Sequence, residues 1–204
     1  MARLKIIGFV GLPGSGKGEA SQIARQLGLA VVIMGDVIRQ EAARQGLEPC
    51  DENLGRIGNE LRASEGPAAV ARRALQMARA TGKEIVVVDG LRSREEADFF
   101  RANAEEFHLV EICAPAGARL KWLAARGRPD DPRQPDQAGE KILSSCPGER
   151  PQAAAALERR QGRELSWGMG EAMQVADLKL RNDGSLEEYR KNVKRLLEIL
   201  TAGS

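Results

Sequence analysis

The residues best suited to chemistry form one loop, Gly11-Leu12-Pro13-Gly14-Ser15-Gly16-Lys17-Gly18, followed by Glu19. The run fits the phosphate-cradling pattern G-x-x-x-x-G-K-[ST] at every position but the last. Gly11, Gly14 and Gly16 permit positive φ and close approach of the backbone to a ligand. Successive N–H groups can then turn inward onto phosphate oxygens. A helix opening near Lys17 adds the positive end of its dipole. Lys17 would reach the β and γ phosphates of a donor such as ATP, and the whole run through Glu19 is the candidate nucleotide contact. Gly18 stands where a hydroxyl ordinarily ligates magnesium. Magnesium keeps several waters in most sites, so phosphates, water and a carboxylate can hold it instead. Asp36 and Asp89, each closing an apolar run, are the carboxylates placed for that.

These groups need elements to position them. LKIIGFVG (4–11) is a short apolar run ending in glycine and reads as a buried strand. From Lys17 the period changes: Ala20, Ile23, Ala24 and Leu27 recur at helical spacing, and Gly28 can end the helix. LAVVIMGD reads as a second strand with Asp36 at its end, and DVIRQEAARQG as a helix ending at Gly46. Residues 47–82 read as helical, with Asp51 as an N-cap and Pro67 in a first turn. KEIVVVDG is the third strand, with Asp89 at its C-terminal end. Ser93 and Glu96 predict a capping box for a helix over 94–104. HLVEICAP is the fourth strand, and AGARLKWLAARG a helix ending at Gly127. RPDDPRQPDQAGEKILSSCPGERPQ is rich in Pro, Gly and charge and reads as an excursion from the core. Helix resumes over 152–176 with a break at QGR, and ADLKLRNDG supplies a fifth strand. Ser185 and Glu188 predict a second capping box, for a closing helix with an apolar stripe of Tyr189, Val193, Leu196, Leu197 and Leu200. Strands alternating with helices predict one α/β domain, with a parallel sheet covered on both faces. Asp36 and Asp89 would then share the C-terminal edge of the sheet, where ligands bind.

Composition narrows the function. The 204 residues carry 31 basic and 29 acidic side chains, a balance that argues against a bulk nucleic-acid binder. Aromatics make up 3%, too few for a single-strand stacking platform. Cys50, Cys113 and Cys146 lie far apart without a C-x-x-C pair, which argues against a disulfide framework and a zinc site and fits a reducing compartment. No apolar run approaches the roughly 20 residues of a membrane helix. The N-terminal run turns to glycine too early for a signal peptide, so the expectation is a cytoplasmic protein. His108 is the sole histidine and has no partner ligands; Trp122 and Trp167 fall in helical patterns and read as packing.

GLPGSGKG resembles the loop of adenylate kinases and their nucleoside monophosphate kinase relatives, which read G-x-P-G-x-G-K-G. MGDVIR (34–39) is similar to that family's T-G-D-x-[LI]-R, with Met34 in place of the threonine. VVVDGLRS (86–93) is similar to D-G-F-P-R, Arg92 matching the arginine if one residue is deleted. ARGRPDD (125–131) resembles the arginine-rich lid that closes on donor phosphates. Through MGDVIR, DGLRS, RGRPDD and RELSWGMGEAM the chain looks most like an archaeal group of adenylate-kinase-related proteins. ADLKLRNDGSLEEYRKNV resembles the end of dephospho-coenzyme A kinases.

The resemblance implies a P-loop three-layer α/β/α fold with five parallel strands in the order 2-3-1-4-5. It implies an acceptor-side helical segment at about 36–82 and a lid at about 126–163. The activity implied is transfer of a phosphoryl group from ATP, with Mg2+, to a nucleotide-type small molecule by a monomer or homodimer. Lys17, Arg39, Asp89, Arg92 and Arg128 are then the catalytic candidates, and Asp36 and Asp89 the metal candidates. Arg39 and Arg92 would hold the acceptor phosphate, and Arg128 would cover the transferring group. Arg126, Arg160 and Arg163 are further lid candidates. Planar guanidinium groups bind phosphates bidentately, and a closing lid excludes water. A phosphate acceptor needs no strong general base. Two other readings stand beside this one. A dephospho-coenzyme A kinase would need Asp36 or Asp89 as a base for a ribose hydroxyl. A nucleotide-dependent regulatory protein would hydrolyse ATP slowly without an acceptor.

Overall fold

The computed structural model describes residues 3–126 and 153–202. In chain order the elements are β1 (Lys5–Val10), α1 (Lys17–Gln26), β2 (Ala30–Ile33), α2 (Met34–Arg44), α3 (Asp51–Glu65), α4 (Ala69–Ala80), β3 (Ile85–Leu91), α5 (Arg94–Asn103), β4 (Glu106–Cys113), α6 (Ala116–Arg126), α7 (Ala153–Ser166), α8 (Met169–Gln174), β5 (Leu178–Arg181) and α9 (Leu186–Thr201). The strands form one sheet in the order β2-β3-β1-β4-β5, every pairing parallel. The expected topology is therefore the observed one.

Alternation along the central strands builds two cores. Ile6, Val10, Val86 and Val88 face one way, onto Val37, Ile38, Ile57, Val70, Ala74 and Phe100 of α2–α5. Ile7, Phe9 and Val87 face the other way, onto Ala20, Ile23 and Ala24 of α1 and Tyr189, Val193 and Leu197 of α9. Each large side chain moved from water to such a core contributes about 1.5–3 kcal/mol. Small residues at Ala20, Ala24, Ala69, Ala74 and Ala78, all fully buried, let these helices lie close to the sheet.

Several local expectations need correcting. β2 ends at Ile33, and Met34, Gly35 and Asp36 form the first turn of α2, with Met34 buried in the core. Asp51 is not a cap: Cys50 holds that position, and Asp51 opens α3. The break in the late helical run falls at Gly168 (φ +94°), because the left-handed region suits glycine; QGR continues inside α7. The Ser185–Glu188 capping box has both arms. At α5 only one arm forms: Ser93 Oγ accepts the Glu96 N–H, while the Glu96 carboxylate accepts from the Arg92 N–H instead. Cys50 is disulfide-bonded and Cys113 is free, so wide spacing along the chain was a poor guide to pairing in space. Among the described residues, no helix is long and apolar enough to cross a membrane.

Candidate active site

β1 delivers the phosphate-type loop to the C-terminal edge of the sheet, between β3 and β4. Two of its glycines are required by geometry. A Cβ on Gly11 (φ +149°) would come within 2.2 Å of the Ile112 carbonyl oxygen, and one on Gly16 (φ +112°) within 2.5 Å of Asn182 Nδ2. Three distant side chains brace the loop. Arg119 Nη1 donates to the Pro13 carbonyl (3.2 Å), Asn182 Nδ2 to the Ser15 carbonyl (3.0 Å), and the Tyr189 hydroxyl to the Gly16 carbonyl (3.0 Å). In a trans peptide the C=O and N–H point opposite ways. Tying these three carbonyls outward therefore turns the N–H groups of Gly14, Gly16 and Lys17 away from the braces. The first-turn N–H groups of α1 have no intrahelical acceptor, so they add to the same set.

Lys17 Nζ donates to the carbonyls of Gly11 and, at 3.2 Å, Leu12. Burial lowers its pKa to about 8; Asp89 and Glu164 oppose that shift, and Arg92 and Arg160 reinforce it. The lysine is thus within electrostatic reach of all four groups. Asp89 pairs with Phe9 of β1, and the register slips just beyond it, where Gly90 (φ +99°) is skipped before Leu91 pairs with Val10. Asp89 points to the α1 side, as Val87 does. There its Oδ2 accepts from Ser21 Oγ at 2.9 Å, one helical turn after Lys17. Glu19 is directed elsewhere: it accepts from Arg190 Nε of α9 at 2.6 Å.

Beside the loop lies a cleft partly open to solvent. Arg39, Arg92, Arg160 and Arg163 line it, with Asp51 and Trp167. Asp36 Oδ1 accepts from Arg39 Nη1 at 2.6 Å. Arg163 makes a two-pronged bond to Asp51, at 3.0 and 2.7 Å, which ties α7 to α3. Glu164, almost fully buried, lies 3.2 Å from Arg160 Nε and 3.5 Å from Arg92 Nη2. Burial alone would raise its carboxyl pKa, but Arg92, Arg160 and Lys17 outweigh that and hold it low. The ring of Trp167 is stacked by Arg62, Arg92 and Arg163 at 4.4, 5.3 and 5.7 Å, and its Nε1–H donates to Asn59 at 2.6 Å. Arg62 in turn pairs with Glu96 at 2.7 Å.

The fold thus gathers Lys17 and Asp89 at the loop, and Arg39, Arg92, Arg160 and Arg163 at the cleft. Asp36 meets Arg39 rather than Asp89. Among the described residues no group of three or more His, Cys, Asp or Glu could hold a metal. Arg128, the central lid and the side chain of Arg126 lie outside the described residues. Sequence reasoning missed Ser21, Arg119, Asn182 and Glu164, whose contacts are all long-range or buried. Tyr189 was seen as apolar stripe alone, and Trp167 as packing.

Residues 10–135 match a family described as an AAA domain. A UPF0200 protein of Methanothrix thermoacetophila is 48% identical over 197 residues, covering 97% of this chain and 98% of its own length. One of Methanosarcina mazei is 44% identical over 195 residues, covering 95% and 94%. Among solved structures, TT1252 from Thermus thermophilus is similar with a TM-score of 0.60 at 18% identity, covering 98% of this chain and 99% of its own. Shikimate kinase from Acinetobacter baumannii, in complex with shikimate, has a TM-score of 0.55 at 14% identity, covering 100% and 96%. A gluconokinase from Sinorhizobium meliloti gives 0.51 at 18%, covering 100% and 98%. At such identities the structures carry the fold alone, and that fold is the one small-molecule kinases share. The match to the archaeal relatives runs end to end, as the archaeal resemblance predicted: the chain belongs to the UPF0200 family and carries its AAA-domain, P-loop kinase-like fold.

Proposed function

We propose that the protein transfers a phosphoryl group from ATP to a small acceptor that itself carries a phosphate, nucleoside monophosphates being the first class to test. One observation carries this reading: four arginines line a cleft beside the loop, and two of them, Arg92 and Arg160, are within electrostatic reach of Lys17. Such a concentration of guanidinium groups suits a dianionic ligand. The loop N–H groups and Lys17 would hold the donor phosphates. Arg39 and Arg92 would orient the acceptor phosphate, with Arg160 and Arg163 closing over it from α7 and Arg128 covering the transferring group. The attacking group is then an already ionised phosphate oxygen, which displaces ADP from the γ-phosphorus, so positioning and electrostatics do the work and no general base is needed.

Magnesium would be held through Asp89 and Ser21, a carboxylate and a hydroxyl that suit a hydrated cation. When bound it would neutralise charge on the β and γ phosphates. Asp36, tied to Arg39, would act through that arginine or through water.

A second reading follows from the neighbours named for shikimate and gluconate. Guanidinium groups also hold carboxylates, and Asp89 could then accept a proton from an acceptor hydroxyl. The same base would serve dephospho-coenzyme A.

The deciding experiment is ADP formation from Mg-ATP with AMP, CMP, UMP, GMP, their deoxy forms, dephospho-coenzyme A, shikimate and gluconate. Strong stimulation by a monophosphate, lost in Lys17→Ala, is the expected outcome. Stimulation by a carboxylate or by dephospho-coenzyme A alone would favour the second reading. Acceptor-independent hydrolysis alone would point to a regulatory ATPase.

A further inference from the structure

The ion pairs around the cleft join different elements. Arg62 has Glu96, Arg163 has both oxygens of Asp51, and Arg39 has Asp36. Arg92 and Arg160 share Glu164, through the same oxygen, and Arg160 also reaches Asp51, at 4.0 Å. Both guanidinium groups line the cleft and are mostly buried, with side chains 21% and 14% exposed. Glu164 is deeper still, at 4%. It stands one turn after Arg160 on α7, while Arg92 comes from the β3–α5 connection, so the carboxylate bridges two separate elements. Glu164 is a poor proton carrier here, since its cationic neighbours keep it ionised.

We propose that Glu164 is an internal anion that holds Arg92 and Arg160 in place and competes with the acceptor's anionic group for them. A phosphate offers more oxygens than one carboxylate and can bind each guanidinium in two-pronged fashion. An arriving phosphate would therefore displace Glu164 from one or both arginines. Glu164 would set acceptor affinity without touching the reacting atoms. This rests on the proposed function only in naming the acceptor as the anion.

The test uses inorganic phosphate and the whole chain, with no turnover. Glu164→Gln removes the carboxylate charge facing Arg92, which is destabilising for a buried pair. In chloride at matched ionic strength the variant should unfold below the wild type. Phosphate should close that gap, because a ligand stabilises the state that binds it. Phosphate affinity of the folded variant should rise about tenfold over wild type. Glu41→Gln is the control, since Glu41 is another buried carboxylate, paired with Arg44 and Arg73, neither of which lines the cleft. An equal gap in chloride and phosphate would overturn the proposal, as would a Glu41→Gln gap that closes equally. Should Glu164→Gln fail to fold, Glu164→Asp retracts the carboxylate by one methylene. Phosphate affinity then rises by a smaller factor, and unchanged affinity counts against the proposal. A phosphate response without acceptor-stimulated ADP formation would sink the kinase reading and leave this one standing. The converse would sink this one alone.

Discussion

At the scale of single residues, Lys17 decides what the loop can do. Its ammonium is buried enough to bring its pKa to about 8, so it is mostly charged at pH 7 and loses its proton as pH rises through that value. Donor phosphates favour the charged form and raise the pKa, so binding ATP takes up protons around and above pH 8. ATP affinity should be flat below about pH 7 and fall by roughly tenfold per unit above pH 8. Calorimetry at pH 8 in two buffers of different ionisation enthalpy should show the proton uptake. Lys17→Met should bind weakly and lack the pH dependence. The loop itself was legible in the sequence because the spacing of its glycines and lysine is local. Ser21 was not, because a serine inside a helix carries no message until β3 brings Asp89 to it. Glu19 misled for the same reason: nothing local announces that Arg190 takes it away from the loop.

Elements matter because they hold these residues still. Three braces from α6, the turn after β5, and α9 fix the loop carbonyls, and the Tyr189 side chain is almost wholly buried in the second core. Burial, with Asp89 and Glu19 adding to it, holds that phenol far above its ordinary range, so it remains a donor at any working pH. Tyr189→Phe keeps the ring and removes only the hydroxyl. It should cost about 0.5–1.5 kcal/mol, the worth of one hydrogen bond, because the Gly16 carbonyl keeps its bond from the Ala20 N–H. It should also weaken ATP binding while sparing phosphate binding at the cleft, as unfolding and titration experiments would show. The α3–α7 tie makes the opposite prediction. Asp51→Asn should weaken the two-pronged bond to Arg163, costing ~1 kcal/mol or less because both side chains are partly exposed. Its larger effect should fall on the acceptor KM, with the KM for ATP unchanged. Asp51 looked like an N-cap in the sequence because an acid before a helical run usually is one. Only the packing of α7 shows that its carboxylate serves Arg163.

At the scale of the whole molecule, the two cores divide the labour. One, under α2–α5 and α8, carries the helices that bring Arg39 and Asp51 to the cleft; the other, under α1 and α9, backs the loop. Strand periodicity and alternating elements made the sheet readable, and the strand order came with the family resemblance. The arginine cleft was readable only in part. Arg39 and Arg92 lie near recognisable motifs, whereas Arg160 and Arg163 reach the cleft through α7, a helix whose docking no local pattern specifies. Deleting residues 185–204 would remove Tyr189, Val193, Leu197 and Leu200 from the second core. The truncated chain should lose cooperative unfolding and ATP binding together, monitored by circular dichroism and a fluorescent nucleotide.

The braces also bear on how the chain matures during synthesis. Ser15 and Gly16 are bonded to Asn182 and Tyr189, 167 and 173 positions later. A ribosome that has released the glycine loop has therefore not yet released what shapes it. Nucleotide in the cell would find no finished pocket on the nascent chain until β5 and α9 had emerged and docked. ATP would then act as a late ligand that favours completed molecules over fragments, and its binding would mark the end of folding rather than guide its beginning.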